Sequence, residues 1–304
     1  MRPWGSIVFK TALHGLEAPL WRTPPWLIAA RMQRYRRRMG RWPRVMRPRT
    51  MNEKLQHRLI FDRRPILTTL TGKLESRSYV TQRLGRSDAQ AGLLAVARSV
   101  ADLATLQLPP RYIMKSSHAS GRYRVVTPQQ PLAQDAQSAL VAAWLAEDYG
   151  RRFLEPNYHG LERCVVFEEL LAWHGALPLD VKVFCYQGEP RWLYLVSGRP
   201  HAAMDSFVDL AWNRLAVQQA DHPAHDILPP RPACLEALLR DAATLSAGLD
   251  HLRVDMLVTD HGYRVGELTV ANGSGMVLYD PPSYDEVFGA MWQLPPLRVL
   301  RGWR

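Results

Sequence analysis

Residues 253–275, RVDMLVTDHGYRVGELTVANGSG, carry the clearest structural pattern in this chain of 304 residues. Apolar side chains alternate on either side of the turn Asp260-His261-Gly262. This spacing predicts strands over 251–259 and 263–270 that pair as an antiparallel hairpin.

The hairpin places two carboxylates side by side on one face, from Asp255 and Glu267. Facing carboxylates repel each other without a cation between them, and a hard divalent ion prefers oxygen ligands. Arg253, two residues along the same face, could neutralise a phosphate or carboxylate there, and residues 272–275 form a loop of backbone donors. The pattern indicates a metal site, with an arginine-bridged acid pair in a structural hairpin as the alternative.

A second hairpin is predicted from strands over 111–116 and 122–127. The first strand ends near Lys115, and the turn 117–121 is made of small, hydroxyl-bearing and glycine residues. One cation and several backbone N–H groups would then point at a common place, which suits a phosphate chain. An ordinary hairpin with an exposed lysine is the alternative.

A buried strand over 163–171 contains two adjacent acids, Glu168 and Glu169. An unpaired buried charge is expensive, so the simplest explanation is that one of them pairs with an arginine. A strand end of mixed polarity also suits a nucleobase and ribose.

Charge is concentrated at one end of the chain. The net charge is +11, yet residues 1–64 hold 16 basic and 3 acidic side chains, whereas residues 65–304 hold 23 and 25. Within 21–42, arginines alternate with Trp, Leu and Ile, which is typical of a helix lying on a surface. A solvated helix packed on its own domain and a helix contacting a membrane or polyanion both fit this pattern.

Other classes are excluded by composition. Three cysteines without a C-x-x-C pair support neither a zinc ribbon nor a disulfide framework. The apolar runs are far shorter than the roughly 20 residues that span a bilayer, and no signal peptide is recognisable at the N-terminus. A cytoplasmic protein is expected, with peripheral contact at the inner face of the membrane through residues 21–49 as an option.

The remaining elements predict an α+β fold with segregated helices and antiparallel strands. A capping box at Thr50–Glu53 opens a helix over 51–62, and a second one at Ser283–Glu286 opens the last helix. A single helix is expected over 131–149. The chain divides into a basic helical arm, a helical region, a small lid subdomain and a larger subdomain with the metal site, at residues 1–50, 51–110, 111–170 and 171–304.

The order of these features resembles the TupA-like branch of the ATP-grasp family, which acts in cell-surface polymer synthesis. The resemblance spans about residues 35–295. It rests on Met51-Asn52-Glu53-Lys54-Leu55-Gln56, Gly72-Lys73 with Arg77, the stretch 114–121, Phe167-Glu168-Glu169, the stretches 180–190 and 209–213, Arg253-Val254-Asp255, Gly266-Glu267-Leu268-Thr269 and Gly273-Ser274-Gly275.

This resemblance implies an ATP-grasp fold, with ATP held between two α+β subdomains. The residues implied to bind ATP are Lys73, Lys115, Ser117, His118, Ser120, Gly121, Glu168, Glu169, Leu171, Asp180 and Lys182. The residues implied to bind Mg²⁺ are Asp255, Glu267 and Thr269, and those implied to act in the chemistry are Arg253, Lys182 and Ser274.

The implied reaction joins a carboxylate to an amine through an acyl phosphate, with ATP and Mg²⁺. The expected partners are a carboxylate-bearing cell-envelope glycan or its precursor and an amine donor, and no nucleic acid. Ala119, Ser117 and Asn272 depart from the family pattern, in the lid and before Gly-Ser-Gly. His118 is a candidate general base, although a lid histidine more often donates to phosphate. A glycosyltransferase of the same pathway and a polyanion-binding module are the alternatives.

Overall fold

The structure is a computed structural model that describes residues 24–199 and 202–297. Residues 1–23 of the predicted arm 1–50 lie outside the described residues. The helices are α1 Pro25–Met39, α2 Met51–Phe61, α3 Pro65–Thr71, α4 Glu75–Leu84, α5 Gln134–Ala146, α6 Tyr149–Phe153, α7 Leu235–Ser246 and α8 Tyr284–Ala290. The strands are β1 Leu93–Ala97, β2 Tyr112–Ser116, β3 Tyr123–Val126, β4 Val165–Glu169, β5 Leu179–Tyr186, β6 Glu189–Ser197, β7 Met204–Val208, β8 Gln218–Gln219, β9 His251–Thr259, β10 Gly262–Thr269 and β11 Tyr279–Asp280.

A small sheet with strand order β1-β4-β2-β3 forms one layer of the molecule. All of its neighbouring strands pair antiparallel, as predicted. Met114 and Phe167 from the sheet pack with Val141 and Trp144 from α5 in a core of their own. Strand β1 belongs to this sheet although it lies ahead of residue 111, where the predicted lid begins.

A larger sheet with order β10-β9-β5-β6-β7 carries the main core. Its central strand β5 is buried at all eight positions, so both of its faces are covered. One face packs on α7 and on residues from α2 and α3. The other face bears Asp180, Lys182 and Phe184, which line a cavity between the two sheets.

Helix α2 begins as predicted, because both halves of its capping box form. The Thr50 side chain accepts from the Glu53 amide at 3.2 Å, and Glu53 accepts in return from the Thr50 amide. The prediction of a second capping box at Ser283–Glu286 is wrong. Ser283 adopts helical backbone angles and its side chain makes no capping hydrogen bond.

The helix predicted over 131–149 is broken in two. It ends at Ala146, and Asp148 starts a new helix by accepting from the Arg151 amide at 3.0 Å. A capping aspartate at that position competes with helix continuation because it satisfies a free amide of the next turn.

Helix α1 is held to the body by the buried Arg31 and by the buried side chains of Leu27, Ile28 and Tyr35. Arg31 is 1% exposed and donates to Gln56 Oε1 at 3.0 Å and to the carbonyls of Leu154 and Ser274 at 2.8 Å each. The arginines from Arg36 onward on α1 and in the next loop are exposed, so the basic helix lies with one face packed on the domain. Within 24–199 and 202–297, no helix is long and apolar enough to cross a bilayer.

Candidate active site

The register of the large sheet aligns five side chains in one row. Glu267 pairs with Asp255, Asp255 with Lys182, Lys182 with Tyr194, and Tyr194 with Phe207. All five line the cavity. Because neighbouring strands lie about 4.8 Å apart, the row runs roughly 19 Å from β10 to β7.

The cavity has a volume of about 590 Å³ and lies between the two sheets. The small sheet contributes Lys115, Tyr123 and Glu169 to its wall, and the lid turn contributes Ser120 and Gly121. The predicted site residues Lys73, Leu171, Asp180, Lys182, Arg253, Asp255 and Glu267 line it as well. The structure therefore brings most of the predicted site together around one space.

Asp255 lies at the electrostatic centre of the row. It accepts from Lys182 Nζ at 2.6 Å and from Arg253 at 2.7 and 2.8 Å. Burial raises the pKa of Asp255, but the charges of Arg253 and Lys182 outweigh burial, so its net pKa is lowered. The carboxylate is therefore ionised at neutral pH, which a metal ligand requires.

Arg253 also donates to Thr269 Oγ1 at 2.9 Å, so the predicted third metal ligand is already a hydrogen-bond acceptor. Burial lowers the pKa of Arg253 while Asp255 raises it, and the net pKa is raised. Arg253 thus bonds Asp255 and Thr269, and Glu267 lies beside them on the cavity wall.

The oxygen donors near this pair fit a magnesium ion. Within the part of the chain that the structure describes, no group of three or more His, Cys, Asp or Glu is clustered as a metal site. Asn272 adds a further oxygen, since its buried Oδ1 has no hydrogen-bond partner and the residue lines the same cavity. Mg²⁺ typically takes one or two carboxylates and completes its shell with water and substrate phosphates, so two carboxylates suffice.

The lysines of the small-sheet side have carbonyl and carboxylate partners. Lys73 donates to the Ala119 carbonyl at 2.8 Å, and burial lowers its pKa. Lys115 donates to Glu168 at 2.6 Å, and Arg77 donates to the same carboxylate at 2.9 Å. The interpretation that one of the two adjacent acids pairs with an arginine is therefore confirmed for Glu168.

The lid turn is divided between wall and interior. Ser117 is buried and its hydroxyl accepts from the Leu74 amide at 3.0 Å. His118 is 3% exposed, with its ring nitrogens 2.9 Å from the Trp144 carbonyl and 3.3 Å from Ser116 Oγ. These two side chains hold the turn in place, whereas Ser120 and Gly121 face the cavity.

Ser274 lies in a strained loop behind the wall. Its φ of 55° is in the left-handed region, and its carbonyl accepts from Arg31 and from Gln56. The residues of this loop on the cavity wall are Asn272 and Gly273. The backbone of Ser274 is thus committed to anchoring α1 and α2.

Sequence reasoning missed one end of the cavity entirely. Tyr194, Arg199, Gln219 and His222 line the wall at the β6–β7 end. No sequence motif identifies these residues. Gln219 lies in β8 and His222 in the loop after it, and β8 is placed by its tertiary pairing with β11. Asn272 could have been identified from the sequence as a candidate metal ligand, since it lies directly before Gly-Ser-Gly.

Two antiparallel sheets that face each other across a cleft of cations and paired carboxylates define an ATP-grasp protein. The model of the TupA-like ATP-grasp family matches residues 53–293. The chain belongs to this family, and the predicted fold is confirmed.

Several solved structures are similar at low identity. An L-amino acid ligase from Bacillus licheniformis has a TM-score of 0.45 at 14% identity, over 71% of this chain and 45% of the other. A D-alanine–D-alanine ligase from Bacillus anthracis has a TM-score of 0.41 at 14% identity, over 74% of this chain and 64% of the other. The ATP-grasp ligase PsnB, in a complex with its minimal precursor, Mg and ADP, has a TM-score of 0.38 at 14% identity, over 68% of this chain and 52% of the other. The chain thus spans about half the length of PsnB, and no curated protein matches its sequence.

Proposed function

We propose that this protein is an ATP- and Mg²⁺-dependent ligase that joins a carboxylate to an amine through an acyl phosphate. The observation that carries the proposal is the cavity between the sheets. Lys73 and Lys115 on one side and Lys182 and Arg253 on the other surround a space whose wall includes paired carboxylates. Transfer of a phosphoryl group needs fixed positive partners for the charge on its oxygens more than it needs proton transfer.

The described residues have separate roles in this proposal. Lys73, Lys115 and Lys182 bind ATP phosphates, and the wall at Glu169, Leu170 and Leu171 holds the base and ribose. Asp255 and Glu267 would hold Mg²⁺ together with a neutral oxygen, for which Asn272 is better placed than Thr269 because the Asn272 Oδ1 is unpartnered. Bound Mg²⁺ supplies charge neutralisation at the phosphates.

Arg253 orients Asp255 and stabilises the acyl phosphate. Its bidentate contact with the Asp255 carboxylate supports these roles, since a guanidinium binds two oxygens in a fixed geometry. The Lys182 ammonium, shared between Asp180 and Asp255, can exchange one carboxylate for a phosphate oxygen without moving far.

The proposed carboxylate is carried by a cell-envelope glycan or its precursor. The family relationship and the exposed arginines of residues 36–49 support this, because a basic surface concentrates an acidic polymer or binds an anionic membrane. A cytoplasmic location with peripheral contact at the inner membrane face follows as part of the proposal.

The test is incubation with MgATP, uronic acids or uronic-acid oligosaccharides and a mixture of amino acids, followed by ADP release and product mass. Lys115→Ala should weaken ATP binding and Glu267→Ala should abolish turnover. Arg124→Ala and Glu286→Ala, two exposed positions away from the cavity, are matched controls that should keep both. Absence of ATP binding together with absence of ADP release would refute the ligase.

A further inference from the structure

A second group of titratable side chains lies at the β6–β7 end of the cavity. Asp205 is 1% exposed, and its Oδ2 is 2.7 Å from His222 Nδ1 and accepts from the Tyr194 hydroxyl. The other oxygen, Oδ1, is buried without a hydrogen-bond partner. A buried carboxylate oxygen without a partner is costly, so its presence beside the cavity calls for an explanation.

The His222 side chain is 51% exposed while its carboxylate partner is buried. The ring lines the cavity, with Nδ1 toward Asp205. A carboxylate at Nδ1 fixes the tautomer that carries its proton on Nδ1, which leaves a lone pair on Nε2. Such an imidazole can accept a proton from a molecule in the cavity.

The loop that carries His222 is hydrogen-bonded to Gln219 of β8 at the histidine and to β7 just after it. The His222 amide donates to Gln219 at 3.1 Å, the Asp205 amide donates to the Pro223 carbonyl at 3.0 Å, and the His225 amide donates to the Asp205 carbonyl at 3.1 Å. His225 further contacts Ser197 at 2.8 Å. The imidazole is thus placed by backbone hydrogen bonds to the strand of its own carboxylate.

The sheet register relates this pair to the phosphate lysine. Tyr194 is directly opposite Lys182 on the next strand, and Asp205 lies one strand further on, opposite Val196. With about 4.8 Å between strands, Asp205 is roughly 10 Å across the sheet from the β5 strand. This is far enough from the phosphates to leave room for an acceptor molecule between Lys182 and His222.

We propose that His222 is the general base for the acceptor amine and that Asp205 is its positioning residue. The proposal rests on the proposed ligase function and adds the place where the nucleophile binds. Nε2 of His222 first accepts a proton from the ammonium group of the acceptor. The neutral nitrogen then attacks the carbonyl carbon of the acyl phosphate, a C–N bond forms, and the bond between that carbon and the phosphate oxygen breaks. Inorganic phosphate leaves with the bonding electrons and takes the second proton lost by nitrogen.

Other groups are less suited to this role. The Tyr194 hydroxyl donates a hydrogen bond to Asp205. Burial and the negative charge of Asp205 raise the pKa of this hydroxyl, so it stays protonated. His118, the candidate from the sequence, is buried with both ring nitrogens close to protein partners. His222 is the only histidine among the described residues that line the cavity.

The test compares two nucleophiles in the full chain with MgATP and a uronic acid. Amino acids are largely protonated at neutral pH and need a base, whereas hydroxylamine is unprotonated and attacks acyl phosphates without one. His222→Gln should lose at least 100-fold in kcat with amino acids yet retain hydroxamate formation. His261→Gln, at an exposed turn, is the control and should keep both reactions.

The outcomes distinguish failure of the ligase function from failure of the base assignment. If the wild type forms product with neither nucleophile, the ligase function fails and this inference fails with it. If the wild type is active and His222→Gln keeps full activity with amino acids, or loses both reactions equally, the base assignment alone is overturned.

A measurement without substrate checks the role of Asp205. The ¹⁵N resonances of His222 should show a protonated Nδ1 and an unprotonated Nε2 in the wild type. In Asp205→Asn the tautomers should mix, with a parallel loss in kcat and little change in KM for ATP. An unchanged tautomer in that variant would overturn the positioning role.

Discussion

Lys182 shows how a single residue can serve both stability and function. Its ammonium lies between two carboxylates, 2.5 Å from Asp180 and 2.6 Å from Asp255, and all three side chains are at least nine-tenths buried. A buried ion pair contributes little over an apolar pair, but removing one partner leaves an uncompensated charge. The site is therefore stable only while cations and carboxylates balance.

We expect Lys182→Met to lower the free energy of unfolding by about 3 kcal/mol, because Asp180 and Asp255 then lose their shared partner. Adding Asp255→Asn should restore part of the loss, since one buried charge disappears. Urea denaturation of the two single variants and the double variant measures the coupling. Strictly additive effects would contradict the shared ion-pair description.

At the scale of an element, the N-terminus of α2 shows a local rule that tertiary packing reinforces. The Thr50 cap and its Glu53 partner form the box within the chain, and Glu53 also accepts from Arg41 and from the Arg49 amide at 3.0 Å. Burial raises the pKa of Glu53, but these donors outweigh it and the net pKa is lowered. The start of this helix is therefore locked to the loop before it.

Thr50→Ala should cost about 1 kcal/mol of stability, because it leaves the Glu53 amide without its acceptor. Ser283→Ala, at the start of α8, is the matched control, and its cost should be within a few tenths of a kcal/mol because Ser283 makes no capping bond. Equilibrium urea unfolding measures both. Equal losses in the two variants would show that the box does not stabilise α2.

At the scale of the whole molecule, stability depends on histidines buried in neutral form. His251 lies against Tyr186 and Trp292, with Nδ1 3.0 Å from the Cys185 carbonyl and Nε2 unpartnered. Burial, followed by the nearby charge of Arg58, lowers its pKa from 6.5 to about 3. His57, His118 and His225 are shifted in the same direction, also chiefly by burial.

These shifts predict a loss of stability in acid. Below about pH 6.5 the unfolded chain binds a proton at residue 251 and the folded chain does not until about pH 3. The free energy of unfolding should therefore fall by about 1.4 kcal/mol per pH unit from this group alone as pH decreases through that window. Urea midpoints from pH 7.5 to 4.5 measure the slope. His251→Phe should reduce it, whereas His261→Gln, exposed in the folded chain, should leave it unchanged; equal slopes in all three proteins would contradict the assignment.

The basic surface formed by residues 36–49 also belongs to this scale. Arg37, Arg44 and Arg47 are exposed there beside Trp42 and Met46. Each arginine near an anionic membrane contributes about 1 kcal/mol, and the contribution falls with salt. The surface should therefore bind anionic vesicles.

Sedimentation with phosphatidylglycerol vesicles at low salt tests this expectation. The triple variant R37Q/R44Q/R47Q should reduce binding at least 10-fold relative to the wild type. R111Q/R124Q/R240Q removes the same charge from exposed positions elsewhere and should reduce it much less. Equal losses would show that net charge, rather than this surface, determines binding.

The sequence predicted most of the helices and strands as well as the family, because capping boxes, apolar alternation and motif order are local properties of the chain, but it merged α5 and α6 into one helix. It also named most of the residues around the cavity, since Lys115, Lys182, Asp255 and Glu267 lie within such motifs. The tertiary structure supplies the partners of the buried acids, because Glu168 on β4 meets Arg77 from helix α4, and Asp255 on β9 meets Lys182 from β5. It also brought Asp205 and His222 to one end of the cavity. No local pattern connects those two residues, because their contact depends on long-range strand pairing and on a loop that folds back onto its own sheet.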